Sequence, residues 1–432
     1  MVRIAIFLAV LVLIDLYAFQ AFRVVTKKCS SAIVRWLNVF YWSASIFCFS
    51  IIILAQFTDW RNWNKYFRTY SIAILLILIL SKVVLDFFVL TGDVVRFFRW
   101  SAIKFSSWFQ KTEFKKPASQ TLTIPRSEFI IKMGLFVASI PFFSLIYGMT
   151  FNAYNYRTRR LKLVLPNLPD SLDGFKIVQI SDIHTGSFTS SEPLSHAVNI
   201  INDQKADIVF CTGDLVNDKH EEVLPYIDIL KKIKAKHGVI SIFGNHDYGD
   251  YIHWENAEAK QNNIQKLKEI HIQLGWKLLW DEHCNIEQNG ECITIIGVQN
   301  CSTHGFSNYG SMKKATENIN YSTVNILLSH DPSHWKKEVT TKYSNINLTL
   351  SGHTHGMQFG IDIPGFKWSP IQYLYKEWAD LYQENNQYLY VNRGLGFIGY
   401  PGRVGILPEI TVIELRKIDD EKIKSQSGHI SS

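Results

Sequence analysis

The sequence predicts an α/β domain preceded by a membrane region of four helices. Two observations carry that expectation. In the second part of the chain, five short β-rich runs each end in side chains of metal-binding type, and residues at helical spacing follow the first two of them. In the first part, four apolar segments are long enough to cross a bilayer.

The four segments run from about Ile4 to Phe22, Trp36 to Phe57, Tyr70 to Leu90 and Met133 to Phe151. The first lacks a small-residue cleavage site and reads as a membrane helix. The loop after it carries Arg23, Lys27, Lys28 and Arg35, and the loop after the third carries Arg96, Arg99, Lys104, Lys111, Lys115, Lys116 and Arg126. The intervening loop holds only Arg61, Lys65 and Arg68, so the positive-inside bias places the first and third loops in the cytoplasm and the domain after Phe151 outside it. The resulting boundaries are a membrane region 1–151, a polar and basic connector 152–164, a folded domain 165–417 and a charged, loose tail 418–432.

Three ionisable residues fall inside the spans. Asp15 lies in the first, while Lys82 and Asp86 lie one turn apart in the third. An ion pair that holds the bundle is the expectation, ahead of a transport path. From Arg96 to Lys116, basic residues interleave with Phe97, Phe98, Trp100, Phe105, Trp108 and Phe109, which suits a helix on an anionic membrane surface.

The formal charge of +7 therefore reports topology, and no nucleic-acid partner is expected. All 14 histidines occur from His184 onward, so histidine use tracks the folded domain. The six cysteines show no metal-type spacing. A two-residue turn at Asn289-Gly290 would pair Cys292 with Glu287 and turn Cys284 and Cys292 to opposite faces, leaving both thiols free.

Within the folded domain, Phe175–Ile180, Ile208–Cys211, Val239–Phe243, Val324–Leu328 and Ile346–Leu350 read as strands. Leu194, Val198 and Ile201 keep helical spacing, as do Leu224, Ile227, Leu230 and Ile233, the latter ended by Gly238. A helix from about Glu255 to Leu274 stops at Gly275, and late strands follow near Tyr388–Val391 and Glu409–Leu415. The strands deliver Asp182 and His184, then Asp214, then Asn245, His246 and Asp247, then His330 and Asp331, then His353 and His355. Open α/β sheets place sites at these carboxyl ends. Carboxylate oxygens and imidazole nitrogens together suit manganese, iron or zinc. Two such ions roughly 3.5 to 4 Å apart lower the pKa of a shared water from about 15.7 towards 7 and aim it at phosphorus.

In their order, Asp-x-His, Gly-Asp, Gly-Asn-His-Asp, Ser-His-Asp-Pro and Gly-His-x-His resemble the five blocks of the calcineurin-like metallophosphoesterases, from about Leu161 to Leu415. The wording Ser-Asp-Ile-His-Thr-Gly, Gly-Asn-His-Asp-Tyr and Ser-Gly-His-Thr-His-Gly, then Arg393-Gly394 and Pro408-Glu409-Ile410, is similar to a bacterial membrane-anchored envelope branch. The resemblance implies a four-layer α-β-β-α sandwich of two mixed sheets and a centre of two divalent ions. It implies that Asp182, His184 and His355 hold one ion and Asn245, His330 and His353 the other, with Asp214 bridging. His246 would protonate the leaving oxygen, oriented by Asp247. Asn217 departs from the acid that many relatives carry there, which points to altered tuning around the ligands. Met357, where this branch often has glycine, would narrow the mouth.

The expected activity is in-line hydrolysis of a phosphoester by a bridging hydroxide, on a lipid-linked or envelope substrate, at a bacterial inner membrane whose lipids are the other partner. A sharper alternative is a UDP-diacylglucosamine pyrophosphate hydrolase of lipid A synthesis, which needs a cytoplasmic site. The rival is a non-catalytic sensor or scaffold, and His246 beside a complete ligand set argues against it. Arg393 and Arg403 are candidates for phosphate contact or for structural ion pairs. Trp254, Trp276 and Trp280 read as packing residues.

Overall fold

The computed structural model describes residues 2–60, 63–109 and 126–417. The charged tail 418–432 and the loop residues Arg61, Lys111, Lys115 and Lys116 lie outside the described residues. The chain divides into two compact units, Met1–Tyr147 and Gly148–Ser432.

The first unit holds α1 (Val2–Thr26), α2 (Ser31–Phe57), α3 (Lys65–Phe109) and α4 (Arg126–Tyr147). Among the described residues, four helices are long and apolar enough to cross a membrane. At 1.5 Å per residue α3 is about 68 Å long, twice the hydrocarbon thickness, so the stretch from Arg96 to Phe109 continues the third span as one helix. Nothing between Leu90 and Phe109 breaks it; Gly92 alone only weakens a helix.

Inside this unit Lys82 Nζ pairs with the Asp15 carboxylate and donates to Ser45 Oγ at 2.9 Å. Ser45 Oγ lies 2.8 Å from Asp15 Oδ1, and Tyr41 donates to the Asp15 carbonyl at 2.7 Å. One buried pair therefore joins α1, α2 and α3, with a hydroxyl filling the remaining hydrogen-bond capacity.

The second unit opens with β1 (Arg157–Leu165), within the stretch that reads as a connector. It is an edge strand paired in parallel with the last one, and its alternating Arg and Lys side chains hide the strand pattern. There follow β2 (Lys176–Ile180), α5 (Glu192–Asp203), β3 (Ile208–Cys211), a single turn α6 (Ile227–Leu230) and β4 (Val239–Ser241). The longer helix that Leu224 to Ile233 suggests does not form: a 3₁₀ turn, Leu224–Tyr226, takes its first residues, and α6 adds only four more. Then come α7 (Ala257–Leu274), closed by Gly275 at φ 75°, and β5 (Trp276–Leu278). The hairpin of β6 (Glu282–Gln288) and β7 (Glu291–Gly297) pairs Glu287 with Cys292, and all six cysteines are free. The chain ends with β8 (Val324–Leu328), β9 (Leu348–Ser351), a ribbon of β10 (Ile361–Ile363) and β11 (Phe366–Trp368), β12 (Asp380–Glu384), β13 (Gln387–Val391) and β14 (Glu409–Lys417).

Two six-stranded mixed sheets result, ordered β1-β14-β2-β3-β4-β5 and β12-β13-β9-β8-β7-β6. Strand alternation builds the layers. Ile177, Phe210 and Ile240 of the first sheet meet Ile293, Ile326, Leu328 and Leu350 of the second in one buried core. On the first sheet's other face, Val178, Val209 and Val239 pack on Leu194, Val198 and Ile201 of α5 and Leu267 and Leu274 of α7. On the second sheet's other face, Ile296, Leu327 and Leu389 pack on Trp335 and Val339. The domain is the four-layer α-β-β-α sandwich.

Candidate metal centre

The parallel strands β2, β3, β4, β8 and β9 point their carboxyl ends the same way, so the loops leaving them meet. Backbone bonds knit these loops: Asp182 N donates to Gly213 O at 2.9 Å, His184 N to Asp214 O at 3.0 Å, and Gly352 N to His330 O at 2.9 Å. The approach is too close for side chains. A Cβ on Gly244 would lie 2.2 Å from Asp214 Oδ1, and one on Gly352 would lie 2.2 Å from Asp182 Oδ2. Asp182, His184, Asp214, His353 and His355 all adopt left-handed backbone, with φ between 49° and 72°. So many non-glycine residues in that region mark a site whose surroundings dictate its geometry.

Two groups of side chains converge. Ligand atoms of Asp182, His184 and His355 lie within 4.8 Å of one another, as do those of Asp214, His330 and His353. His355 Nε2 is 3.1 Å from His184 Nε2 and 3.2 Å from Asp182 Oδ1. Asn245 Oδ1 is 3.1 Å from His330 Nε2 and 2.8 Å from His353 Nδ1. Asp214 lies between the groups: its Oδ1 accepts from His246 N at 2.9 Å, while Oδ2 is 3.2 Å from His330 Nε2 and 3.6 Å from His184 Nε2.

The chemistry of this donor set fits cations. The Thr212 carbonyl can only accept, so His330 Nδ1, at 2.7 Å, carries a hydrogen, and Nε2 is the atom that faces inward and becomes a lone-pair donor once its own proton is released. Asn245 Nδ2 donates to Tyr251 Oη at 2.7 Å, which aims Oδ1 inward as well. Lone pairs facing lone pairs in a buried space call for positive charge between them.

The electrostatics divide the rings: burial would lower His330, but the Asp214 and Asp182 carboxylates raise it to about 10, so this ring yields its Nε2 proton only in exchange for a cation. Burial would raise the Asp182 carboxyl, but His355 and His330 hold it below the usual carboxylate range. Burial would likewise raise Asp214, and His330 and His246 hold it down. Burial pushes His184 down to about 3 and His353 to about 4, keeping both rings neutral and ligand-ready.

His246 lines a cleft of about 370 Å³ with Asp214, Asn245, His353, His355 and Phe306. Its Nδ1 is 2.7 Å from the Asn217 carbonyl, which leaves Nε2 as the proton-exchanging atom. Asp247 does not orient this ring. Its carboxylate accepts from Gly244 N (2.9 Å), Asp214 N (2.8 Å), Leu215 N (2.8 Å) and Val216 N (3.2 Å), and so staples two of the loops together. Adjacent in sequence, the two side chains point apart on a 3₁₀ turn.

Two further residues, and the backbone role of a third, escape sequence reading. Tyr251 supports Asn245, and its ring packs, tilted by 40°, 4.5 Å from that of His246. Tyr375 Oη is 2.9 Å from His353 Nε2 and 3.2 Å from Asp331 Oδ2. The Asn217 backbone holds His246 whatever its side chain is. Only the final tyrosine of the Gly-Asn-His-Asp-Tyr-Gly-Asp-Tyr run hints at any of these. Arg393 and Arg403 are fully buried away from the cleft. Arg393 binds Asp380 and Glu409 at 2.7 Å, and Arg403 donates to the carbonyls of His355 and Arg393, so both are structural. The Met357 side chain is 54% exposed and is not among the residues lining the cleft.

Comparison with known proteins matches residues 2–153 to "Probable Calcineurin-like phosphoesterase, transmembrane domain" and residues 175–357 to "Calcineurin-like phosphoesterase". The chain is 31% identical over 256 residues to metallophosphoesterase YkuE of Bacillus subtilis, covering 58% of this chain and 82% of the relative. It is 30% identical over 246 residues to metallophosphoesterase YkoQ of the same organism, covering 54% and 81%. With a transmembrane protein with metallophosphoesterase domain from Danio rerio the identity is 26% over 280 residues, covering 63% of this chain and 60% of that protein. Strand-end ligands, four apolar helices and these likenesses agree, and the chain belongs to the calcineurin-like metallophosphoesterases, as a membrane-anchored, metal-dependent phosphoric-ester hydrolase.

Proposed function

We propose that the chain hydrolyses a phosphoester, lipid-linked or otherwise part of the cell envelope, with two divalent ions in the cleft. Asp182, His184 and His355 would hold one, Asn245, His330 and His353 the other, with Asp214, which lies between the groups, shared by both. When bound, such a pair lowers the pKa of water and neutralises charge on phosphoryl oxygens. The protein's own contribution is positional. Backbone N–H groups of His246 and His353 hold the carboxylates of Asp214 and Asp182 in place. His246, fixed by the Asn217 carbonyl, presents Nε2 to the cleft and delivers a proton to the departing oxygen. Manganese, iron or zinc suits the mixed oxygen and nitrogen set.

The observation that carries this reading is His246: a site for binding alone has no use for an imidazole held ready beside a full ligand set. The test is hydrolysis of bis(p-nitrophenyl) phosphate by the purified full chain, alongside its metal content. Activity that survives complete removal of metal would sink the proposal.

The loop charges support a catalytic domain on the extracytoplasmic side of its membrane. Reporter fusions after Val164 check this, and a cytoplasmic result would favour a nucleotide-linked lipid precursor such as UDP-diacylglucosamine.

A further inference from the structure

The β10–β11 ribbon is built inside out. Directly opposed residues of an antiparallel pair share a face, and the register pairs Ile361 with Trp368, Asp362 with Lys367 and Ile363 with Phe366. The charged pair faces inward. Asp362 binds Arg159 and Arg393, and Lys367 donates to the Ala379 carbonyl and to Asp380, at 2.7 and 2.8 Å. The apolar residues face out, with Ile361 43%, Ile363 57% and Phe366 53% exposed, and the tip between them is Pro364-Gly365. The following turn continues the patch with Tyr373 at 76% and Leu374 at 66%. An ordinary surface ribbon has the opposite polarity, and an exposed apolar patch of this kind marks a contact surface.

Two features identify what it contacts. Leu374 lines the metal cleft and also an adjoining cavity of about 530 Å³, bordered by Lys336, Lys337, Lys376 and Glu377; with Lys336 paired to Glu384 the lysines still outnumber the acids. Apolar and aromatic side chains flanked by lysines match the acyl boundary and anionic head groups of a lipid leaflet. The same chain carries four bilayer-crossing helices, so a membrane is always at hand. We propose that the outward face of the ribbon, with Tyr373 and Leu374, embeds in the interfacial layer of an anionic bilayer and presents the mouth of the metal cleft to lipid head groups. This surface stands on polarity, register and the neighbouring lysines, whatever ester the site cleaves.

The test uses the full chain reconstituted in vesicles of phosphatidylcholine and phosphatidylglycerol, with a photoreactive benzophenone residue at position 363, 373 or 289. Asn289 is the control. It lies in the hairpin turn at the start of β7, which runs parallel to β8 and so places this turn at the end of the sheet away from the cleft. Lipid adducts are expected at 363 and 373 well above the yield at 289. Their yield should fall by at least about fivefold in vesicles of phosphatidylcholine alone, equivalent to losing one lysine's attraction to the surface. The doubly charged variant I363D/F366D should lose the adduct at 373. Adducts to a second copy or to another segment of the chain, lipid yields equal to that at 289, or equal yields with and without phosphatidylglycerol would each overturn the proposal.

Discussion

The two candidate ligand groups each join two histidines to one oxygen donor, Asp182 in one and Asn245 in the other, and they are supported differently. In the group of Asn245, His330 and His353, every ligand is backed by its own partner: the Thr212 carbonyl behind His330, Tyr375 and Asp331 behind His353, Tyr251 behind Asn245. In the group of Asp182, His184 and His355, His184 Nδ1 is buried with no hydrogen-bond partner, and His355 Nδ1 faces the Arg403 guanidinium at 3.2 Å. Arginine only donates, so this contact favours the tautomer with hydrogen on Nε2, the atom that faces Asp182. An imidazole backed by an acceptor is a more basic and better oriented ligand. On the support of its ligands the second position is expected to be the tighter one, and the first the weaker.

The shared carboxylate is where that contrast should vanish. Asp214→Asn removes charge from both positions at once, and hydrolysis of an aryl phosphodiester should drop to background while bound metal falls from about two ions per chain to fewer than one. Unchanged activity would remove Asp214 from the centre altogether. His246→Ala separates chemistry from binding: turnover should fall about 10²- to 10⁴-fold with both ions retained. Loss of an ion there would make His246 a ligand.

How these residues could be read from sequence differs from one to the next. The strand tips are legible because buried parallel strands are near-continuous apolar runs: Ile208–Cys211 is wholly apolar, and only Asn325 interrupts Val324–Leu328. β1 and the β10–β11 ribbon are not, since Arg and Lys alternate through the one and Asp362 and Lys367 interrupt the other. The ligand types were visible as motifs, but their supports were not: Tyr375 is 22 residues from His353, and the Asn217 carbonyl is backbone. Asp247 shows the opposite failure. Its place beside His246 suggested a partnership that the 3₁₀ turn prevents, because one turn sends consecutive side chains in different directions.

Asp331→Asn tests the contrast from the second position. It weakens the acceptor pair behind His353, so affinity for one ion should fall about 10- to 100-fold while the other is little changed. Chelator titration of the unaltered chain should show two steps, with the first position emptying first. In Asp331→Asn the steps should close up or exchange order, as read by metal-specific spectroscopy after cobalt substitution. A single step in both proteins would mean that the two positions are equivalent and the support argument is wrong.

The smallest effect belongs to Tyr251→Phe. The variant keeps the ring that packs on His246 and removes only the oxygen that accepts from Asn245 Nδ2. A neutral hydrogen bond is worth a net 0.5 to 1.5 kcal/mol, so affinity at the second position should weaken by about 2- to 10-fold, through an amide free to rotate Oδ1 away from the ion. The first position offers no comparable change, because His184 Nδ1 has no partner to delete. Turnover at saturating metal should stay near normal, since His246 keeps its Asn217 contact. If Tyr251→Phe instead slowed turnover with metal affinity intact, this tyrosine would act on the proton donor, and the second position would owe its strength to the two imidazoles alone.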